Sequence, residues 1–148
     1  MQSRSDPTVV PSLLSIAKST RAFLTILLDR IDLHPGQDQL LDKLDRDNPI
    51  NVSSLADSLA VRPSTVSKML DRLIDRGLVE RASNLRDARR TMVRLTEAGM
   101  KAQAEVREIW SKLEEELTSN LSDEEIGVLS DSLVKAEEIL TQRLRRLR

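Results

Sequence analysis

Residues 61–96, VRPSTVSKMLDRLIDRGLVERASNLRDARRTMVRLT, constrain the fold more than any other stretch of the chain, because a helical repeat gives way there to a strand repeat. Val66, Met69, Leu70, Leu73 and Ile74 fall at i, i+3, i+4, i+7 and i+8, which is one apolar face of a helix. Pro63 suits the first helical turn, where a missing N–H costs no intrahelical bond. Gly77 tolerates the left-handed conformation that closes a helix. Two extended runs are expected beyond it, around 78–81 and 89–95. In the second, Thr91, Val93 and Leu95 alternate with Arg90, Met92 and Arg94 at the strand period of two. The connection between the runs, 82–88, carries Arg86 and Asp87.

The other face of this helix is hydroxylic and charged: Ser64, Thr65, Ser67, Lys68, Asp71 and Arg72. The formal net charge of the chain is −1, which by itself argues against a generally basic nucleic-acid binder. The distribution argues the other way. Residues 60–96 hold nine Lys and Arg against four Asp and Glu, whereas 1–59 hold six against eight and 97–148 eight against twelve. Positive charge is thus concentrated in the helix-and-hairpin segment, with acidic flanks. A helix with short polar and basic side chains near its start suits the wide major groove of DNA, and an arginine at a hairpin tip suits the narrow minor groove. Ser64, Thr65, Ser67 and Lys68 are the candidate base readers. Arg72, Arg62 and Ser54 are candidates for phosphate, the last with help from the N-terminal amides of its helix. The alternative for each is ordinary solvent exposure.

The flanks are helical and apolar on one side. Val9, Leu13, Ile16, Ala17, Phe23, Leu24, Leu27, Leu28 and Ile31 predict a long helix over about 8–33. His34-Pro35-Gly36 breaks it. A short helix over about 36–45 follows, with Leu40, Leu41 and Leu44 inward. Its acidic run from Asp38 to Asp47 reads as a solvated face. Asn48-Pro49 marks a turn, 50–52 is a candidate strand, and Ser53 is the expected cap of a helix over 54–59. Leu55, Ala56 and Leu59 would pack that helix on the one that follows. Thr96 is a natural cap for a helix from Glu97 to about Ser119. Ser122 and Glu125 form a capping box, with Leu121 and Ile126 in staple positions. The last helix, to about Arg145, carries Ile126, Leu129, Leu133, Ala136, Leu140, Leu144 and Leu147 as a stripe. Arg143, Arg145, Arg146 and Arg148 complement its negative end. These flanking stripes exceed what a small domain can bury alone, so a second copy is expected, with a monomeric bundle as the alternative.

At 148 residues the chain is of one-domain size. Phe23 and Trp110 are its two aromatics, so the core must be aliphatic. There is no cysteine, which excludes disulfides and thiol switches. No apolar run approaches the roughly 18 residues that a membrane span needs, and the first residues lack the apolar core of a signal peptide. The expectation is a cytoplasmic protein with no membrane partner. A single histidine, His34, and no cysteine argue against a metal site. No nucleophile–base set, glycine-rich phosphate loop or paired carboxylate suggests catalysis, so neither an enzyme nor a cofactor is expected.

The text from Asp87 to Thr96, DARRTMVRLT, resembles the D-x-R-x-x-x-V-x-L-T wing of the MarR family of bacterial transcription regulators. Ser64-Thr65-Val66-Ser67, with Leu73-Ile74-Asp75-Arg76-Gly77-Leu78-Val79, is similar to that family's recognition helix and its exit. Leu55-Ala56 looks like the start of its first helix-turn-helix element, and His34-Pro35-Gly36-Gln37 like a turn that many members have. The resemblance covers roughly residues 34–99. Ala88 departs from it, since many members carry arginine between the wing Asp and Arg; Arg86 and Arg90 are the candidates to supply that charge.

The resemblance implies a mainly α fold: a winged helix-turn-helix with a two- or three-stranded wing sheet, flanked by N- and C-terminal dimerisation helices. The expected division is 1–33, 34–96 and 97–148. It implies a homodimer on a pseudo-palindromic double-stranded DNA operator, with repression the commoner outcome and release by a small-molecule effector. Arg89 is the implied minor-groove residue. Asp87 would repel phosphate, so its expected role is to hold Arg89 through a bidentate pair. Phe23, His34, Arg21 and Trp110 are candidates to line an effector cleft, with plain core the competing role for the two aromatics. A winged-helix protein-interaction module and an effector-independent DNA binder are the competing functions.

Overall fold

The computed structural model describes residues 8–83 and 91–148. In chain order the elements are α1 (Val9–Asp29), α2 (Gln37–Lys43), β1 (Ile50–Asn51), α3 (Val52–Leu59), α4 (Pro63–Asp75), β2 (Val79–Ala82), β3 (Met92–Leu95), α5 (Glu97–Thr118) and α6 (Asp123–Leu147). The protein is a mainly helical winged helix-turn-helix. Its antiparallel sheet has three strands in the order β1-β3-β2. Ile50 pairs with Val93, and Val79 with Leu95. The chain divides into two compact units, one reaching Arg107 and one from Glu108 onward.

The core of the first unit is aliphatic. Leu28, Leu33, Leu40, Leu41, Leu55, Val66, Leu73, Val79, Val93 and Leu95 are all buried. Burying a side chain of this kind is worth about 1.5–3 kcal/mol. Of the apolar face expected on α4, Val66, Leu70 and Leu73 are buried while Met69 and Ile74 are half-buried. Ala56 is buried on α3, which packs against α4.

Local chemistry sets the ends of these helices. α4 begins at Pro63 and closes on a left-handed Gly77, φ 71°, with Gly77 N donating to the Ile74 carbonyl and Leu78 N to that of Leu73. This is the paired closure of a Schellman end. The capping box at α6 is present in full, Ser122 accepting from Glu125 N and Glu125 accepting from Ser122 N. Three helix boundaries differ from expectation. α1 stops at Asp29, because Asp32 turns left-handed at φ 62° before Leu33 packs into the core. α2 is confined to Gln37–Lys43, since Leu44 is extended. α3 is capped by Asn51 rather than Ser53: the Asn51 side chain accepts from Ser54 N at 2.7 Å, which places Ser53 inside the first turn.

Two burial expectations also change. Asp38 is buried rather than solvated, with a carboxylate oxygen accepting from Gly36 N at 2.9 Å. Phe23 is exposed rather than core, and Trp110 is half-buried.

The exit of α4 is pinned to the start of α5. Thr96 Oγ1 donates to the Gly77 carbonyl at 2.6 Å and accepts from Gly99 N at 3.0 Å, while Thr96 N donates to the Leu78 carbonyl. A Cβ at Gly99 would collide with that same Leu78 carbonyl and press on Leu95 at 3.2 Å. Alanine ordinarily strengthens a helix interior by roughly 0.5–1 kcal/mol over glycine. Here Gly99→Ala is expected to destabilise, by about 1–3 kcal/mol as an overpacking substitution. Urea unfolding checks this, and a Gly99→Ala variant as stable as the parent would contradict the close approach.

Candidate nucleic-acid interface

α3 and α4 are joined by a tight turn. Ala60 adopts a left-handed conformation, φ 53°, and its N–H and that of Val61 close α3 on the Ala56 and Asp57 carbonyls. Arg62 is then extended, and its carbonyl accepts from Thr65 N and Val66 N to open α4. Because Val66, Leu70 and Leu73 anchor one side of α4, the opposite side faces solvent. Ser64, Thr65, Ser67, Lys68 and Arg72 are all exposed, as is Arg62 at the cap. The spacing brings them together. Ser64, Lys68 and Arg72 follow one another at i+4, and Thr65 and Lys68 lie at i+3, so they form a continuous row. Ser54 is exposed on α3, but its N–H is taken by Asn51. Only its hydroxyl therefore remains to meet an anion. Arg86, Asp87, Arg89 and Arg90 lie outside the described residues.

Two ion pairs near this row were not foreseen by sequence reasoning. Arg81 Nη2 lies 3.3 Å from Asp71 Oδ1, linking β2 to α4. The strand period explains it. Val79 and Arg81 share the sheet face turned toward the core, and at the end of β2 that face reaches α4. Glu80 and Arg94, directly opposite each other across the ladder, pair at 2.8 Å. Neither partnership follows a helical i, i+4 pattern, so only the hairpin register reveals them. Asp71 and Arg81 are both more than half exposed, and their pairing leaves the solvent side of α4 more cationic than its composition suggests.

The base of α4 rests on the turn before α2. A Cβ at Gly36, φ 101°, would come within 3.2 Å of Met69 Sδ. Arg76, at the end of α4, donates to the Asp32 carbonyl. His34 N donates to Gln37 Oε1 at 2.9 Å, and the His34 side chain is exposed. Among the described residues no group of three or more His, Cys, Asp or Glu could hold a metal ion. Among them, too, no helix is long and apolar enough to cross a membrane.

A model of the MarR family matches residues 33–91. The multiple antibiotic resistance protein MarR of Escherichia coli (strain K12) is 31% identical over 109 residues, covering 73% of this chain and 76% of that protein. The chain belongs to the MarR family. Members of this family are transcription regulators, not enzymes. The HTH-type regulator YhbI of Bacillus subtilis (strain 168) is 34% identical over 85 residues, which is 57% of this chain but only about half, 55%, of that protein. A mutant of E. coli MarR complexed with operator DNA has the same fold, with a TM-score of 0.78 at 27% identity over 86% of this chain and 92% of that one.

The Asp71–Arg81 contact is solvated on both sides, so its coupling energy should be small. A double-mutant cycle with Asp71→Ala and Arg81→Ala is expected to give about 0.2–1 kcal/mol. Coupling well above that range would mean that the pair is a structural strut rather than a local charge arrangement.

Proposed function

We propose that this MarR-family chain is a sequence-specific DNA-binding transcriptional repressor that acts as a homodimer. The observation that carries the reading is the row Ser64, Thr65, Ser67, Lys68 and Arg72, held outward on a helix whose other side is anchored in the core. A helix presented in this way fits the major groove, with its N-terminal residues at base edges. The hydroxyls of Ser64, Thr65 and Ser67 read bases tolerantly, and Lys68 takes a guanine or a phosphate. Arg62, Arg72 and the Ser54 hydroxyl take phosphates. In the wing, Arg89 enters the minor groove, Asp87 orients it, and Arg86 and Arg90 add phosphate contacts. The operator-bound E. coli relative, at the same fold, supports this reading.

The flanking helices support the second copy. Val9, Val10, Leu14, Ile16, Phe23 and Ile26 on α1 are exposed, as are Val128, Leu133, Leu140 and Leu144 on α6, and α6 has no buried residue. So much apolar helix surface in one chain marks an interface. In this reading residues 34–96 bind DNA while 1–33 and 97–148 join the copies. Two recognition helices then read inverted half-sites about one helical turn apart. A small-molecule effector that shifts the dimer would release the operator.

Two measurements test this. Sedimentation at micromolar concentration should give a dimer, and a monomer would remove the basis for a symmetric operator. Selection from random DNA should enrich an inverted repeat whose affinity falls steeply with salt, since each phosphate contact releases counterions. Arg72→Ala should lower the slope of log affinity against log salt by about one. Arg89→Ala should weaken binding at least as much as Asp87→Ala. Binding that ignores both ionic strength and Arg89 would reject the reading.

A further inference from the structure

The C-terminal end of α2 is closed by a residue from another helix. The last carbonyls of any helix lack intrahelical partners. α3 and α4 satisfy theirs with a left-handed residue, Ala60 and Gly77 respectively. α2 cannot, because Leu44 is extended, φ −87° and ψ 152°. Leu44 N still reaches Leu41 O at 3.3 Å, and Gln103 on α5 supplies the further donors. Gln103 Nε2 donates to Leu41 O at 2.8 Å and to Leu44 O at 2.9 Å, with Asp42 O at 3.5 Å. A primary amide nitrogen carries two N–H groups, and the two short bonds use both. One turn further along, Arg107 Nε meets Asp42 Oδ1 at 3.0 Å and its Nη2 lies 3.5 Å from Asp42 O.

The contacts form a line along α5. Gly99, Gln103 and Arg107 are spaced at i, i+4 and i+8, so they share one face. Gly99 abuts the Leu78 carbonyl at the exit of α4. Gln103 and Arg107 grip the end of α2, which itself packs against α3 and α4. The loop after α2 is tied down as well, with Leu95 N donating to Asp45 O at 3.0 Å and Arg46 Nη1 approaching Met100 Sδ at 3.8 Å. Inside that loop the Asp45 carboxylate accepts from Asp47 N and from the Asn48 amide, and these bonds hold its carboxyl below the usual range. The helix-turn-helix therefore touches the first turns of α5 at two heights. One contact at Gly99 would leave a hinge, and the second at Gln103 fixes an angle.

We infer that Gln103, assisted by Arg107, is a positioning residue that sets the tilt of the recognition helix α4 against α5. Resting on the DNA-binding dimer reading, this clamp also sets the half-site spacing that the protein accepts, since each recognition unit meets its half-site at a fixed angle. Leucine has a similar volume to glutamine and donates nothing, so Gln103→Leu removes the bonds and leaves the helix.

The test uses the natural absence of cysteine. Spin labels at Ser67→Cys and Glu105→Cys, both exposed and away from the Gly99 junction, report the distance between α4 and α5 in one chain when diluted with unlabelled protein. The distance distribution should be narrow in the parent and clearly broader with Gln103→Leu. Full-length parent and Gln103→Leu protein are then titrated with the selected inverted repeat and with versions lengthened or shortened by one base pair. The parent should discriminate between spacings about tenfold or more and the variant about threefold or less, with affinity for an isolated half-site unchanged. Arg107→Gln, at an exposed position, should shift both readouts in the same direction by less, and it keeps the test open if Gln103→Leu folds poorly. Unchanged distances and an unchanged spacing profile would overturn the clamp. Broadened distances in a protein whose parent prefers no spacing would uphold the clamp and count against the proposed function instead.

Discussion

The start of α5 lies directly against the backbone at the exit of α4, and much of the fold follows from that close approach. Gly99 has no side chain because the Leu78 carbonyl occupies that space, and Thr96 bonds on both sides of the junction. The recognition helix, the first residue of the wing and the helix that leaves the wing are thereby held at one point. Leu73, Val79, Val93 and Leu95 fill the volume beneath it. Few alternative packings remain once the backbones are this close, because cores are dense and respond to single methylene changes.

That junction allows α4 to keep an exposed polar row without losing its place. A helix anchored along one apolar face tolerates almost any polar residue on the other. Ser64, Thr65, Ser67, Lys68 and Arg72 are accordingly not needed for packing. The same separation appears in the hairpin. Val79, Val93 and Leu95 carry packing on one face and Glu80 pairs with Arg94 on the other, while Arg81, on the packing face, reaches out to Asp71. Packing and polar groups are thus divided between the two faces of α4 and, apart from Arg81, of the hairpin.

The flanking helices raise the opposite issue. α1 and α6 keep stripes of Val, Leu, Ile and Phe that the single chain leaves exposed. Exposure on this scale costs free energy in water at about 25 cal/mol per Å² of apolar surface, which a second copy would recover. Phe23 illustrates the point. As one of two aromatics it reads as core, yet within one chain it faces solvent. Its apolar character is legible in the sequence, but its exposure is not.

Much of the architecture was legible in the residues because it rests on local rules. The 3.6-residue repeat of α4, the left-handed Gly77, the alternation into β3, the Thr96 cap and the Ser122–Glu125 capping box each depend on neighbours a few positions apart. The family's wing and recognition-helix motifs were legible for the same reason. What tertiary structure alone decided involves partners distant in sequence. Asn51 rather than Ser53 caps α3, because β1 is held extended up to Asn51 by its pairing with the distant strand β3. Asp38 is buried in a stretch that reads as solvated. Arg81 finds Asp71 through hairpin register, and Gln103 closes a helix some sixty residues away. A hydrogen bond or ion pair of that kind leaves no periodic trace in the chain, since only the folded backbone brings its donor and acceptor together.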